Sequence, residues 1–210
     1  MSENYQQKQR ELAESRARFQ ALQARIRPHF LFNSLNAVIS LIPVDPVRAE
    51  ETLQNLSDLF RASLGEESRM SNLAQELELA RQYLAIEQQR LGERLQVKWD
   101  MQNMPDQAGM PALLLQPLVE NAVYHGVEAS QRGGEILVSG RCRKGIVALA
   151  VSNTLPTEGQ DSPRKSNHMA LENIRQRLQM RFGDAAGMHT GLVDNRYQVR
   201  IWFPVQESAG

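Results

Sequence analysis

The sequence predicts an α+β protein in which a dimerising helical hairpin at the N-terminus precedes an α/β sandwich. The first 64 residues show helical apolar periodicity, whereas the later residues alternate helical segments with short apolar strands and glycine-containing turns. A polar stretch over residues 65–72 separates these two patterns. We therefore expect a helical domain over residues 1–66 and a mixed domain over residues 70–210.

Composition and charge narrow the class of protein. Of the 210 residues, 41% are hydrophobic and 23% are charged, which is ordinary for a globular protein with a real core. Because 24 Lys and Arg balance 24 Asp and Glu, the charge gives no indication of a nucleic-acid partner. No apolar run has the length needed to span a bilayer, and the single cysteine, Cys142, provides neither a disulfide framework nor a metal cluster. We expect a cytoplasmic location.

The first helix is predicted to run from about residue 2 to Leu41. Its N-terminal part lacks Pro and Gly and is rich in Glu, Gln, Arg, Lys and Ala. Apolar residues at heptad spacing favour a dimeric coiled coil in this part, although a solvated single helix is the alternative. These residues are Leu12, Phe19, Leu22 and Ile26.

A second helix is predicted over about residues 47–64. Pro43 and Pro46 bracket the preceding turn, and Asp45 is well placed as the N-cap. Two helices with a short connection cannot bury their apolar stripes alone, so we expect a homodimer in which two hairpins form a four-helix bundle. The stripes consist of Leu31, Leu35, Val38 and Ile42 on the first helix and Leu53, Leu56 and Phe60 on the second.

The mixed domain is predicted to place helices on one face of a mixed sheet. Asn72 caps its first helix, and Pro111 opens an apolar helix that Gly126 ends. Residues 153–167 form a polar loop with the length of a lid or binding loop. The predicted helices cover residues 73–91, 112–125 and 168–182, and the predicted strands cover residues 95–101, 135–142, 146–152, 188–193 and 197–205.

Residues 27–36, with the sequence RPHFLFNSLN, place polar side chains on one face of a helix. His29, Asn33 and Asn36 fall at i, i+4 and i+7, and Pro28 should bend the helix directly before the histidine. On the residues alone, His29 is either an ordinary surface side chain or an accessible imidazole whose ring Asn33 orients by a hydrogen bond.

Residues 113–126, with the sequence LLLQPLVENAVYHG, carry a second group of polar side chains at the end of an apolar helix. Asn121 and His125 are four residues apart and should share a helix face, with Glu120 beside them. Burial of such groups is costly unless they are paired, which favours a cleft. A cap at the helix C-terminus explains them equally well.

Both stretches are similar to motifs of known proteins. Residues 27–36 closely resemble the phospho-acceptor box of LytS-type bacterial sensor histidine kinases. Residues 113–126 resemble the N-box of the GHKL ATPase fold, which histidine kinases share with gyrase, Hsp90 and MutL. The resemblance implies a GHKL-type α/β sandwich for the mixed domain.

The resemblance also implies roles for the polar side chains of both motifs. His29 would accept the γ-phosphoryl group of ATP, and Asn121 would hold Mg²⁺ through its amide oxygen. Glu120 would lie near the attacking group, where it could take the departing proton, and His125 would lie close to the phosphates.

Two departures from the family pattern fall in the implied nucleotide pocket. Asn153 stands where the GHKL fold reads adenine with an aspartate, and it can still accept from the adenine amino group. Residues 166–171, SNHMAL, replace a glycine-rich segment that cradles the phosphates, and His168 is the implied nucleotide contact there. Residues 172–178, ENIRQRL, match the family well. These departures resemble the alginate-regulating subgroup of LytS-type sensors.

The resemblance implies a sensor histidine kinase that uses ATP and Mg²⁺ and passes the phosphoryl group to an aspartate on a response regulator of LytTR type. LytS-type kinases usually carry a membrane sensor ahead of the acceptor box, so membrane contact is expected only through such a part, which this chain lacks.

Two alternative functions remain beside the kinase. One is a non-catalytic signalling scaffold that engages a response regulator, which the missing glycines favour. The other is a GHKL ATPase or a serine kinase of the anti-sigma type. The phospho-acceptor box around His29 argues against this alternative.

Overall fold

A computed structural model describes residues 28–63, 70–155 and 167–206 of the chain. The chain divides into two compact units, Met1–Gly65 and Glu66–Gly210. The predicted coiled-coil residues Leu12, Phe19, Leu22 and Ile26 lie outside the described residues, as does most of the predicted lid. None of the helices in the described ranges is long and apolar enough to cross a membrane.

The first unit contains a helical hairpin formed by α1 (Pro28–Leu41) and α2 (Pro46–Ser63). The predicted N-cap is present, since the backbone N–H of Arg48 donates to the Asp45 carboxylate over 3.1 Å. The hairpin core forms around Ser34 and Val38 of α1. On α2 the buried side chains are Ala49, Thr52, Leu56 and Leu59.

The predicted apolar stripe of α1 is only partly buried within one chain. Val38 is buried as expected, whereas Leu35 and Ile42 are exposed. The helix turns Ser34 toward α2 instead, and the Ser34 hydroxyl donates to the carbonyl of Phe30 over 2.7 Å, so its burial leaves that donor satisfied. Leu53 of the predicted α2 stripe is likewise exposed within one chain, whereas Leu59 is buried.

The second unit contains a small and a large sheet. Strands β1 (Met70–Asn72) and β3 (Gly109–Pro111) pair antiparallel. The large sheet has the strand order β2-β4-β5-β7-β6, in which β2 and β4 are parallel and the other pairs are antiparallel. Its strands are β2 (Leu95–Gln102), β4 (Gly134–Arg143), β5 (Ile146–Thr154), β6 (Gly187–Val193) and β7 (Arg196–Pro204).

In the described residues of the second unit, three α-helices and a π-helical segment accompany the large sheet. The helices are α3 (Leu73–Leu91), α4 (Leu115–Ala122) and α5 (Asn167–Phe182), and the π-helical segment is Val123–Glu128. Alternate strand residues such as Val138, Leu149 and Ile201 are fully buried, as expected for a sheet with one face in the core. The predicted α+β fold, a helical hairpin followed by an α/β sandwich, is therefore confirmed.

Two sequence predictions for the second unit need correction. The stretch predicted as a polar linker ends in β1, a strand too short to show periodicity, which forms because β3 supplies its partner. The apolar helix begins at Leu115 rather than Ala112, because Leu113 has a φ of 56° and lies outside the helical region. Gly126 does not end this helix but lies inside the π-helical segment.

Candidate functional site

His29 lies in the first turn of α1 and is exposed. The side-chain nitrogen of Asn33 lies 3.1 Å from Nδ1 and 3.2 Å from Nε2 of the imidazole. An amide N–H donates to whichever ring nitrogen carries no proton, so Asn33 restrains the ring while leaving it accessible to solvent. The structure thus brings these two predicted residues together, one helical turn apart.

The start of α4 rests on a buried carboxylate that sequence reasoning missed. Glu76 of α3 is fully buried. It accepts from the backbone N–H groups of Leu113 (2.8 Å), Leu114 (2.9 Å) and Leu115 (3.3 Å). Burial raises the pKa of Glu76 above its ordinary value, and the three N–H groups act in the opposite direction. The available signal was an acidic residue within the apolar stripe of α3, three residues after Leu73.

The predicted N-box side chains occupy the second half of α4 and the π-helical segment. Glu120 is half-buried, and the side-chain amide of Gln116 donates to its carboxylate over 2.9 Å. Asn121 is buried, with 6% of its surface exposed. His125 is half-buried and contacts the Tyr124 ring edge to face, with 4.9 Å between ring centroids. Side-chain oxygen and nitrogen atoms that could bind a ligand thus lie at the end of an otherwise apolar helix.

The predicted shared face of Asn121 and His125 spans the junction between α4 and the π-helical segment. Regular α-helix ends at Ala122, one residue after Asn121, and the next six residues form the π-helical segment. Single π-helical turns inside helices are frequent at functional sites.

Asn153, the predicted adenine contact, is buried at the end of β5 rather than in a loop. Its side-chain nitrogen donates to the carbonyl of Thr154 over 2.9 Å. This bond occupies an N–H of the amide and leaves the side-chain carbonyl oxygen as the atom that can accept a hydrogen bond.

A largely buried charged cluster contacts the last residue of the π-helical segment, Glu128. Arg90 donates to Glu87 through Nε over 3.0 Å, and its Nη2 pairs with both Glu87 and Glu128. Burial raises the pKa of Glu87, and the charge of Arg90 opposes that shift. The cluster ties the last turn of α3 to Glu128 and was not predicted, although Glu87 and Arg90 stand three residues apart.

His168, the last predicted nucleotide contact, lies in the first turn of α5. The position of its side chain falls outside what the structure describes. In the described residues, the candidate side chains therefore form two separate groups, one in each unit. The first is an imidazole with its amide partner on α1, and the second is a set of polar side chains around α4 and the end of β5.

Comparison with known proteins places these residues in context. The histidine kinase family model matches residues 17–95. The sensor histidine kinase YpdA of Escherichia coli (strain K12) is 32% identical over 209 residues, which are 95% of this chain and 36% of YpdA. The sensor protein LytS of Staphylococcus saprophyticus is 33% identical over 183 residues, which are 82% of this chain and 31% of LytS. The chain therefore spans about one third of the length of these curated relatives.

Among solved structures, the catalytic domain of histidine kinase ThkA aligns with a TM-score of 0.48 at 16% sequence identity. That alignment covers 67% of this chain and 97% of the ThkA chain.

Proposed function

Since this chain belongs to the histidine kinase family, with LytS-type sensor kinases among its relatives, we propose that it phosphorylates its own His29 from Mg-ATP. It then passes the phosphoryl group to an aspartate on a response regulator. The observation that carries this proposal is the exposed His29 ring held by Asn33 within the acceptor box. An exposed ring with a fixed orientation suits an in-line attack.

The covalent step joins a ring nitrogen of His29 to the γ-phosphorus of ATP. The bond between that phosphorus and the β–γ bridging oxygen breaks, and ADP leaves with the electron pair. The side-chain amide of Asn33 can turn so that its oxygen accepts the ring N–H, which leaves the other nitrogen with a free lone pair. The proton lost from the phosphorylated ring goes to a carboxylate, and Glu120 has this role in the proposal.

The residues around α4 fit a nucleotide with its metal ion. When bound, Mg²⁺ neutralises the charge of the triphosphate. In the described part of the chain no three His, Cys, Asp or Glu side chains form a metal site. In this proposal the amide oxygen of Asn121 would be the protein ligand, and phosphate oxygens and water would supply the others, as Mg²⁺ prefers. Asn153 would accept from the adenine amino group, with His125 and His168 near the phosphates.

An exposed apolar face on α1 supports the proposed homodimer. Its four side chains lie at i, i+3, i+7 and i+10 and so share one side of the helix. They are Phe32, Leu35, Ile39 and Ile42, with 65%, 36%, 63% and 56% of their surfaces exposed. An unpartnered apolar face of this kind suits a bundle with the hairpin of a second copy. The phosphorylated dimer would meet a response regulator of LytTR type in the cytoplasm.

The test is labelling of the full chain with γ-labelled ATP and Mg²⁺, followed by treatment with acid or base. Phosphohistidine loses its label in acid and keeps it in base. His29→Gln should abolish labelling, whereas His189→Gln, which changes an exposed histidine of β6, should not. Label that persists in His29→Gln would contradict the assignment of the acceptor.

A signalling scaffold without kinase activity is the second candidate, favoured by Ser166, His168 and Ala170 at the positions of the family's glycines. Calorimetry with an ATP analogue separates the two. Binding by the native chain that is lost in Asn121→Ala supports the kinase. Binding that appears only after these three residues are changed to glycine supports the scaffold.

A further inference from the structure

The turn that precedes α4 is held from two sides. On one side the buried carboxylate of Glu76 in α3 accepts from the N–H groups of Leu113, Leu114 and Leu115. On the other side the guanidinium of Arg177 in α5 donates to the carbonyl of Ala112 and, over 3.4 Å, to that of Leu113. The N–H groups of this short backbone stretch thus bind a side chain of α3, and its carbonyl groups bind a side chain of α5. These two helices are distant from each other in sequence.

Leu113 shows why this turn needs such support. Its φ of 56° lies in the left-handed region, which a leucine rarely adopts. Backbone in this region persists only where the surroundings over-determine it, and such positions cluster at functional sites. The bonds from Glu76 and Arg177 engage both the N–H and the carbonyl of Leu113.

The helix that follows is short, so its position depends on how its ends are held. Helix α4 has eight residues, which is below the length at which an isolated helix is stable. Asn121 lies six residues after Leu115, a distance of about 9 Å along the axis at about 1.5 Å per residue. A displacement of the turn would therefore carry to Glu120 and Asn121.

We propose that Glu76 and Arg177 are positioning residues that act together as one clamp on residues 112–115. The clamp sets the location of Glu120 and Asn121 and ties the start of α4 to α5, the helix whose first turn contains His168. The clamp itself rests on the hydrogen bonds above, and only its consequence for the nucleotide rests on the proposed function.

The experiment is a double-mutant cycle in the full chain with Glu76→Gln and Arg177→Met. The glutamine keeps the size of Glu76 but replaces one acceptor oxygen with an NH₂ group. The methionine keeps the apolar stem of Arg177 and removes its donors. Arg141→Met is the matched control, because Arg141 is half-buried like Arg177 and donates to the carbonyl of Asp100 over 3.0 Å.

Three readouts are measured on each variant. They are the affinity for the non-hydrolysable ATP analogue AMP-PNP with Mg²⁺, the unfolding temperature, and the hydrogen exchange of the amides in residues 114–122. Each single variant should lose affinity by about tenfold or more, the range usual for residues that hold a ligand-binding group in place. The double variant should lose little more than the worse single variant, because both act on the same turn.

A second pair of variants tests the strained residue directly. Leu113→Gly in the Arg177→Met background should recover part of the lost affinity, since glycine adopts a positive φ without steric cost. If Glu76→Gln does not fold, the comparison of Arg177→Met with and without Leu113→Gly still tests the proposal. No recovery in the Leu113→Gly variant would then count against the clamp.

Several results overturn the proposal. One is an affinity unchanged in both single variants, with a loss of stability no different from that of Arg141→Met. Another is a pair of losses that simply add in the double variant. If the native chain binds no nucleotide, the proposed function fails separately, and hydrogen exchange decides on the clamp. Faster exchange over residues 114–122 in both single variants, but not in Arg141→Met, supports it, and unchanged exchange refutes it.

Discussion

A Cβ atom placed on Gly126 would lie 2.4 Å from the side-chain nitrogen of Asn153 and 2.7 Å from its Cβ. A Cβ atom makes no non-bonded contacts this short in real proteins, and the Cβ of Asn153 cannot move without its backbone. Only glycine therefore allows the π-helical segment to approach the end of β5 so closely. This approach fixes where the Asn153 amide lies, which matters because Asn153 is the residue proposed to read adenine.

We expect Gly126→Ala to lower the affinity for Mg-AMP-PNP by about tenfold or more, because the new methyl group displaces Asn153 or the π-helical segment. Isothermal calorimetry measures the affinity. Gly191→Ala is the control, since a Cβ on this strand glycine would meet only the His189 ring, at an ordinary 3.4 Å. Equal affinities in the two variants would remove Asn153 from the nucleotide site.

The second prediction concerns the amide beside the proposed acceptor. Asn33→Leu should slow the phosphorylation of His29 by about tenfold to a hundredfold, because the ring loses the group that orients it. Asn33→Asp should retain much more activity, because a carboxylate oxygen can accept the ring N–H in the same way as the turned amide of the proposed reaction. Initial rates of labelling with γ-labelled ATP measure both effects.

Asn36→Leu is the control for these variants, because Asn36 lies on the same helix, three residues after Asn33, and is exposed. It should label at the native rate. If Asn33→Leu and Asn36→Leu behaved alike, the bond between Asn33 and the imidazole would have no part in the reaction.

Local chemical signals predicted the elements well. Asp45 and Asn72 cap the helices that they were expected to cap, with the Asn72 oxygen accepting from the N–H of Gln75 over 2.9 Å. Alternating apolar residues predicted the strands, and glycines predicted the turns between them. One of these is Gly145, which adopts a positive φ. Each of these features depends on residues adjacent in sequence, which is why the sequence shows them.

Features that depend on distant partners were not predictable in this way. The Glu76 carboxylate accepts a hydrogen bond from the N–H of Leu113, which lies 37 residues later in the chain. No local sequence pattern predicts that pairing. Gly126 was interpreted as a helix end because the close approach of Asn153 is not visible in the sequence. Helical periodicity also cannot tell a stripe buried within one chain from a stripe buried against a second copy. The sequence therefore placed Leu35 and Ile42 in one stripe with Val38, although within one chain only Val38 is buried.

The third prediction concerns the exposed apolar face of α1. Ile39→Glu should convert the proposed dimer to a monomer at micromolar concentration, because a carboxylate buried at an apolar interface loses its hydration without gaining a partner. Sedimentation velocity measures the mass. Met180→Glu, on α5, is the control, because Met180 is 79% exposed and lies in the second unit. A native chain that sediments as a monomer, or an Ile39→Glu variant that stays dimeric, would exclude this face as the interface.

The last prediction concerns an ion-pair cluster that joins three strands of the large sheet. Glu135 of β4 accepts from Arg196 of β7 over 2.6 Å and also pairs with Lys98 of β2. Hydrogen bonds from Lys98 and Arg196 lower the pKa of the Glu135 carboxyl below its ordinary value of about 4.3. The folded state therefore binds the proton less readily than the unfolded state does.

The sign of the pH dependence follows from this shift. The stabilisation is fully present above the unfolded-state pKa and is lost as the pH falls through the lower folded-state pKa. Glu135→Gln should therefore lower the free energy of unfolding by about 0.5–1 kcal/mol at neutral pH, a modest value because Lys98 is largely exposed. The difference from the native chain should shrink as the pH falls below about 4 and should also shrink in high salt. Denaturant unfolding at a series of pH values measures this difference in unfolding free energy.

The control is Glu93→Gln, which changes an exposed glutamate of the same unit and should show no such trend. If the loss of unfolding free energy in Glu135→Gln stayed constant with pH, it would come from packing rather than from charge.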